Sequence, residues 1–473
     1  MKNKALICLL TACLLFAPFA LPVTAAESLS FADSLYAENE IAGEVRMTFE
    51  YDKAEQETRE NTPDIGCRAA YVADPVSGKV FFEKNAHAKM YPASTTKILT
   101  ALLVLENCNV SDTVTISKSA IAMVPAGYST AGLMAGEAFS VELLLQALLI
   151  PSANEAAYAL AEHVSGSVSA FSELCNRRAK ELGCETLHFV NPNGVHDKNH
   201  YCSAYDLFLI AKECQKYEEF NKIVKMTEFT VPSTELHPKD DRTYKNTNEM
   251  LFSAAPRYYL PYCTGIKTGH TTPAGECLVS SSEKDDLNLI CVVLGGSIKA
   301  NGLNERFSDT KKLMEFVYGN YARKLIADRN VPIAQVNVEN AVSDAPMLDV
   351  IIPSDIVSVA PNEISQDYVD CQISIAEEIK APIQLHQVLG TVTYRVDGLI
   401  YSTNIIAGHE VQKKPFWLYN TLVAAGFVLI VMFIAFFVNR RRQRKKREMA
   451  AARRRAARAR AGAVSDPYRR GSR

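Results

Sequence analysis

The segment Tyr91-Pro92-Ala93-Ser94-Thr95-Thr96-Lys97 leads into the apolar run Ile98-Leu99-Thr100-Ala101-Leu102-Leu103-Val104. From Ser94 to Cys108 the pattern is helical. Ser94 and Lys97 are three residues apart, so both project from one face of a helix. A serine hydroxyl is a weak nucleophile. A neutral lysine amine within reach can take its proton, provided burial or nearby positive charge lowers the lysine pKa. The same residues also fit a helix N-cap followed by a surface lysine. The Ser-x-x-Lys spacing recurs at Ser281–Lys284 and Ser308–Lys311, so the pair alone decides nothing.

Two further groups lie downstream. Ser152-Ala153-Asn154 comes 58 residues after Ser94, at a break between two helix-like runs within 140–165. Lys267-Thr268-Gly269 comes 115 residues after Ser152, ahead of an expected strand. The ordered set SxxK, SxN, KTG resembles the signature of penicillin-binding proteins and class A β-lactamases. The surrounding words Tyr91–Lys97, Ile150-Pro-Ser-Ala-Asn-Glu155, Phe189-Val-Asn-Pro-Asn-Gly-Val195 and Gly265-Ile-Lys-Thr-Gly-His-Thr271 closely resemble the low-molecular-mass serine-type D-alanyl-D-alanine carboxypeptidases. The resemblance runs from about Cys67 to Leu325. It continues through Ala381-Pro382 and Gly390-Thr-Val-Thr-Tyr394, which resemble that family's second domain.

That resemblance implies the roles of individual residues. Ser94 attacks the carbonyl of the penultimate D-alanine and becomes the acyl-ester. Lys97 is the general base and Ser152 a proton-relay partner. Asn154 binds the substrate amide and holds Lys97. Lys267 and Thr268 bind the terminal carboxylate, and Gly269 lets the strand approach the ligand. The backbone N–H groups of Ser94 and His270 form the oxyanion hole. No cofactor or metal is implied. The substrate is a peptidoglycan stem pentapeptide, and β-lactams are covalent ligands. Glu155, where Asp is expected more often, reads as a packing residue. The same scaffold also serves D,D-endopeptidases and β-lactamases, and a non-catalytic β-lactam or muropeptide sensor is the reading of another class.

Around the motifs the pattern is α+β. Arg68 to Phe82 reads as two short strands joined by a Pro/Ser/Gly turn. Helical blocks follow at 140–165, 170–183 and 204–216. Strands are expected at 278–282 and 287–295, and a last helix at 303–326. Strands at both ends and helices between them imply a helical subdomain beside a sheet built from the two ends of the segment. With the resemblance, this is a β-lactamase/penicillin-binding-protein-like catalytic domain over 65–326. From 331 to 412, short Val/Ile-rich runs alternate with turns, which implies a small all-β domain.

The chain ends carry targeting signals. Two lysines, an apolar run from Ala5 to Leu21 and Val23-Thr24-Ala25-Ala26 form the layout of a signal peptide over 1–26. A polar leader follows over 27–64. Phe416 to Val438 is 23 residues without a charged side chain, roughly 35 Å as a helix, enough for a bilayer core of about 30 Å. Residues 439–473 form a basic tail, with Arg440–Arg447 as a stop-transfer signal. A single-pass cell-membrane protein is implied, with its body outside and its tail in the cytoplasm.

Composition narrows the class. Hydrophobic residues at 48% and charged residues at 22% exclude a wholly disordered chain. The net charge of −2 hides a segregation: residues 440–473 hold 15 Lys+Arg and 2 Asp+Glu, leaving 36 and 51 in the rest. An acidic body argues against nucleic acid as a partner. Ten cysteines lie outside the signal without CxxC spacing, and Cys263 and Cys277 read as small core residues. His196 and His200 are four apart, but their segment is turn-rich rather than helical, so no zinc site is expected.

Overall fold

A computed structural model describes residues 48–51, 62–238, 241–342, 347–363, 369–376 and 378–462. The expected signal peptide, most of the leader and the tail beyond residue 462 lie outside the described residues.

In chain order the elements begin with β1 (Thr48–Tyr51), β2 (Ala69–Ala73), β3 (Val80–Lys84) and a 3-10 turn at Ala93–Thr96 that runs into α1 (Lys97–Asn107). Then come β4 (Thr113–Thr115), α2 (Lys118–Ala122), β5 (Ala138–Ser140), α3 (Val141–Leu149), α4 (Asn154–Ser165), α5 (Val168–Glu181), α6 (Ala204–Cys214) and α7 (Glu218–Lys225). The hairpin β6 (Glu228–Val231) and β7 (Arg242–Lys245) precedes β8 (Cys263–Thr271), β9 (Gly275–Lys284), β10 (Leu287–Gly296) and α8 (Glu305–Asn320). The remainder is β11 (Tyr321–Ala327), β12 (Ala334–Asn337), β13 (Met347–Ile351), β14 (Ile356–Pro361), β15 (Val369–Ile375), β16 (Val388–Val396), β17 (Leu399–Ala407) and α9 (Phe416–Gly462).

The chain divides into two compact units, one of residues up to 332 with 351–375 and 390–405, the other of 333–350, 376–389 and 406 onward. The first holds a five-stranded antiparallel sheet in the order β3-β2-β10-β9-β8, built from both ends of the helical segment as its pattern implied. Strand β10 is buried on both faces, which explains its unbroken apolar run. Successive side chains point to opposite faces. Ile290, Val292 and Leu294 enter one core with α1 and α3–α6. Leu289, Cys291 and Val293 enter a second with Phe307, Leu313, Met314 and Val317 of α8. Helix starts follow local chemistry. Ser140 and Ser167 cap α3 and α5, and Ser203 with Asp206 forms a capping box on α6. The second unit holds the β12–β13 ladder, backbone pairings of Glu339 with Lys380 and Ile383 with Val411, and α9.

Several expectations need correction. Lys267-Thr268-Gly269 does precede the expected strand, β9, but itself lies inside another strand, β8, at the free edge of the sheet; two glycines had weakened its strand pattern. The last helix ends at Asn320, and Tyr321–Ala327 turns into a strand paired with β14. Ser94 sits on a 3-10 turn ahead of the α-helix. Within the leader, Thr48–Tyr51 pairs antiparallel with β17. The apolar helix continues through the basic residues to Gly462. Its apolar part is long enough to cross a membrane, and none of that stretch is buried. The ten cysteines outside the signal are all free thiols; Cys277 is fully buried and Cys263 half-buried.

Candidate active site

The 3-10 turn is tied by its own threonines. Thr95 Oγ1 donates to Pro92 O and Thr96 Oγ1 to Ala93 O, each at 2.8 Å. Ala93 holds φ +48°. Between these buried residues Ser94 stands half-buried. One turn on, Lys97 is wholly buried at 0% exposure, and its Nζ has three partners: Ser94 Oγ at 3.0 Å, Asn154 Oδ1 at 2.9 Å and Asn193 O at 2.8 Å. Two of these oxygens have no proton to give. Asn154 Nδ2 donates to Ser129 O at 2.9 Å, which fixes its Oδ1 toward the lysine. A neutral Lys97 therefore spends its two N–H groups on Asn154 and Asn193 and aims its lone pair at the Ser94 hydroxyl. Burial, helped by the positive charge of Lys267, pushes the Lys97 pKa well below its ordinary value, while Glu155 opposes the shift.

Asn154 opens α4, and its backbone N–H also reaches Ser129 O, at 3.0 Å. Just before it, Ser152 is buried at φ +69°; among the described residues its Oγ makes no hydrogen bond. Glu155 does pack: its Oε1 accepts from the N–H groups of Ala131 at 2.7 Å and Leu133 at 3.3 Å, pinning the loop that carries Ser129. Burial raises its pKa.

Strand β8 forms the opposite wall. Lys267 is 1% exposed, and burial with the neighbouring Arg306 lowers its pKa to about 7. Thr268 Oγ1 lies 2.6 Å from Thr247 Oγ1. A Cβ on Gly269 would lie 2.8 Å from Pro92 O, 3.0 Å from Ser94 N and 3.1 Å from Thr95 N. The strand edge thus meets the nucleophile turn backbone to backbone. The His270 ring points outward, its Nδ1 2.8 Å from Glu276 Oε1. Arg306 bridges Glu276 Oε2 at 2.6 Å and Gly269 O at 3.3 Å.

Ser94, Lys97 and Asn154 are thus joined directly, and Lys267, Thr268 and Gly269 stand together on β8. Ser152 belongs to the same wall as Asn154 but is not hydrogen-bonded to either partner of the pair. Sequence reasoning missed the Asn193 carbonyl, the Ser129 carbonyl, Thr247 and Arg306. Two of these act through backbone carbonyls, which no side-chain motif announces. Arg306 lies 39 residues past Lys267 at the start of a helix, where nothing in the sequence marks it as a neighbour.

A profile of the D-alanyl-D-alanine carboxypeptidase family matches residues 56–298. The chain is similar to the D-alanyl-D-alanine carboxypeptidase DacF of Bacillus subtilis, 33% identical over 73% of this chain and 86% of that one. It is similar to DacA of Escherichia coli K12 at 28% identity over 75% and 86% of the two chains. Among solved structures, penicillin-binding protein 5 of Haemophilus influenzae matches with a TM-score of 0.57 and 28% identity, covering 75% of this chain and 99% of that one.

Two predictions follow from the geometry of β8. Gly269→Ala should keep the fold, because Gly269 has no positive φ, but should push β8 away from Ser94. Fluorescent-penicillin acylation should fall about 100-fold, the scale of a misplacement of about 1 Å; acylation within about threefold of wild type would contradict the contact. Lys267→Met should raise the melting temperature at pH 7 by a few degrees. The unfolded lysine titrates near 10.5 and the folded one near 7, so the folded state binds fewer protons between those values and its stability rises with pH there. The gain from Lys267→Met should therefore shrink from pH 7 toward pH 10. Parallel thermal melts across that range test it, and a pH-independent difference would reject it.

Proposed function

The chain belongs to the D-alanyl-D-alanine carboxypeptidase family, and on that premise we propose how its own residues carry the reaction: release of the terminal D-alanine from a peptidoglycan stem pentapeptide through an acyl-enzyme on Ser94. The observation that carries this reading is the Lys97–Ser94 contact of 3.0 Å, in a setting where the lysine is buried and its other partners only accept. Lys97 takes the hydroxyl proton as Ser94 Oγ bonds to the carbonyl carbon. The developing oxyanion is met by the backbone N–H groups of Ser94 and His270, each worth about 3–4 kcal/mol by the usual cost of removing one donor. The proton then passes to the leaving D-alanine amine. Ser152, buried and without a hydrogen-bond partner among the described residues, is suited to relay it. Asn154 holds Lys97 and the substrate amide. Lys267 and Thr268 bind the terminal carboxylate. Water then releases the shortened peptide and regenerates Ser94.

β-Lactams enter by the same route, since their carbonyl stands in for the scissile amide while the ring keeps the leaving amine tethered. The intact constellation disfavours a sensor without catalysis. The buried cation at Lys267 favours substrates with a free C-terminal carboxylate over the internal bonds an endopeptidase cuts. We further propose the organisation read from the sequence: a catalytic domain over 65–326, a β-rich domain over 331–412 and a span over 416–438. The catalytic domain then lies outside the membrane, with the basic tail in the cytoplasm.

Ser94→Ala should abolish both the penicillin adduct in intact-mass analysis and release of D-alanine from a synthetic pentapeptide. Amidating the terminal D-alanine should lower wild-type kcat/KM roughly 10- to 150-fold, the equivalent of losing a charge-assisted hydrogen bond of about 1.5–3 kcal/mol. An adduct of wild-type yield on the alanine variant would remove Ser94 from its role. Equal cleavage of amide and acid would remove the carboxylate anchor. For topology, protease added to intact protoplasts should shave the catalytic domain and leave a C-terminal epitope protected; a cleaved epitope would make the helix peripheral.

A further inference from the structure

His200, absent from the chemistry so far, is 2% exposed and lies against the nucleophile turn. Its ring stacks on Phe189, with centroids 4.4 Å apart and planes 5° from parallel. The Val190 N–H donates to Nδ1 at 3.1 Å. That nitrogen must therefore carry a lone pair, and the proton of the neutral ring sits on Nε2. Nε2 lies 2.8 Å from Thr96 Oγ1 and donates to it. The hydroxyl's own proton goes to Ala93 O at 2.8 Å. These three hydrogen bonds run in one direction, from Val190 through His200 and Thr96 to the carbonyl of Ala93. Burial holds the His200 pKa down to about 3, so the neutral ring this direction requires is the stable form at neutral pH.

The Ala93 carbonyl is also confined from another side. A Cβ on Gly194, whose φ is +81°, would lie 1.9 Å from Ala93 O and 2.8 Å from Thr96 Oγ1, so the bare glycine backbone packs against the same group. Ala93 itself keeps φ +48°, a region that a non-glycine residue holds when its surroundings impose it. The peptide bond from Ala93 to Ser94 is planar and trans, so its C=O and the Ser94 N–H point in opposite directions in one plane. Fixing the carbonyl fixes the N–H.

We propose that His200 and Thr96 are positioning residues for acylation: through the Ala93 carbonyl they set the direction of the Ser94 N–H that receives the oxyanion. The inference rests on the Ser94 reading above. Wild-type acylation is therefore measured first in the same assay, where a failure of that reading registers before any variant is compared.

Three variants separate positioning from packing. Thr96→Val removes the hydroxyl at nearly constant shape. His200→Phe keeps a ring on Phe189 and removes both nitrogens. His200→Gln can still accept from Val190 and donate to Thr96. Per folded molecule, Thr96→Val and His200→Phe should each slow benzylpenicillin acylation and lower kcat for D-alanine release about 10- to 100-fold. That is less than the ~10²- to 10³-fold cost of deleting an oxyanion donor. KM should change less than about threefold, the pattern of an interaction made in the transition state. A boronic-acid analogue of acyl-D-alanine, whose serine adduct places an oxygen in the oxyanion position, should bind at least about tenfold more weakly. The double variant should lose no more than the worse single one, since both break one chain. His200→Gln should return to within about threefold of wild type, because one intact hydrogen-bond chain is all the role requires. Wild-type acylation by folded Thr96→Val, additive losses in the double variant, or equal weakening of the boronic acid and the non-reactive tetrapeptide product would each overturn the proposal. If His200→Phe does not fold, Thr96→Val alone carries the same test.

Discussion

An amine that must stay uncharged inside a protein is the constraint on which the rest of this site depends. Desolvation disfavours the ammonium form of Lys97 and lowers its pKa, which is what the proposed base role requires. A buried amine must still satisfy its N–H groups. The acceptors come from Asn154 at the start of α4 and from the carbonyl of Asn193 in a turn-rich loop. Neither could come from α1, whose own carbonyls are committed to the helix. The need to close a shell around one nitrogen therefore explains why the functional residues are scattered along the sequence.

A second constraint is close approach. A carbonyl substrate must lie between the Ser94 turn and β8, so those backbones must nearly touch. Gly269 supplies that on the strand side and Gly194 on the loop side. β8 is the edge of its sheet, so one row of its backbone groups is not used by a neighbouring strand. A peptide laid along that edge can pair with the backbone while its C-terminus reaches Lys267. Folding the site around a sheet edge and a helix start gives both a hydrogen-bonding rail and a nucleophile held by rigid elements.

Much of this was legible in the sequence, for reasons that differ from element to element. The alternation hidden in Leu289–Leu294 gave a buried strand because both faces of β10 are covered by helices. The helix breaks at Ser152 and Gly183 were marked by turn residues. What escaped was governed by tertiary context. The strand character of β8 is masked by Gly265, packed against Val224, and by Gly269, whose lack of a side chain serves the close approach to the Ser94 turn. The helix expected through 326 stops at Asn320 because the following residues find a partner in β14, over thirty residues away. At the site, the side chains of the three motifs could be named in advance. Their carbonyl partners could not, since every residue carries a carbonyl and only the fold selects Asn193 and Ser129. His200 was visible as a histidine, but its connection to Ser94 runs through two other residues and a peptide plane.

Two buried lysines, Lys97 and Lys267, have different parts in the proposed reaction: one is its base and the other its carboxylate anchor. Lys97 and Lys267 each suffer desolvation, and the charge of Lys267 further disfavours protonation of Lys97. Two ammonium groups close together in a buried site repel, so charge on Lys267 disfavours charge on Lys97. Lys267 has Arg306 nearby and, among the described residues, a single acceptor, the Thr268 carbonyl, and burial with that arginine lowers its pKa to about 7. A carboxylate arriving beside it would favour its charged form and draw a proton onto it. Lys97 has no such visitor; its third partner is a hydroxyl that can donate. In the proposed reaction, a bound carboxylate would favour charge on Lys267, its proposed anchor, over charge on Lys97, the proposed base. Environments that push two like groups to different protonation states are a general way to separate such roles. On the proposed mechanism, a substrate carboxylate at Lys267 would add to that separation and link recognition of a free C-terminus to a neutral Lys97.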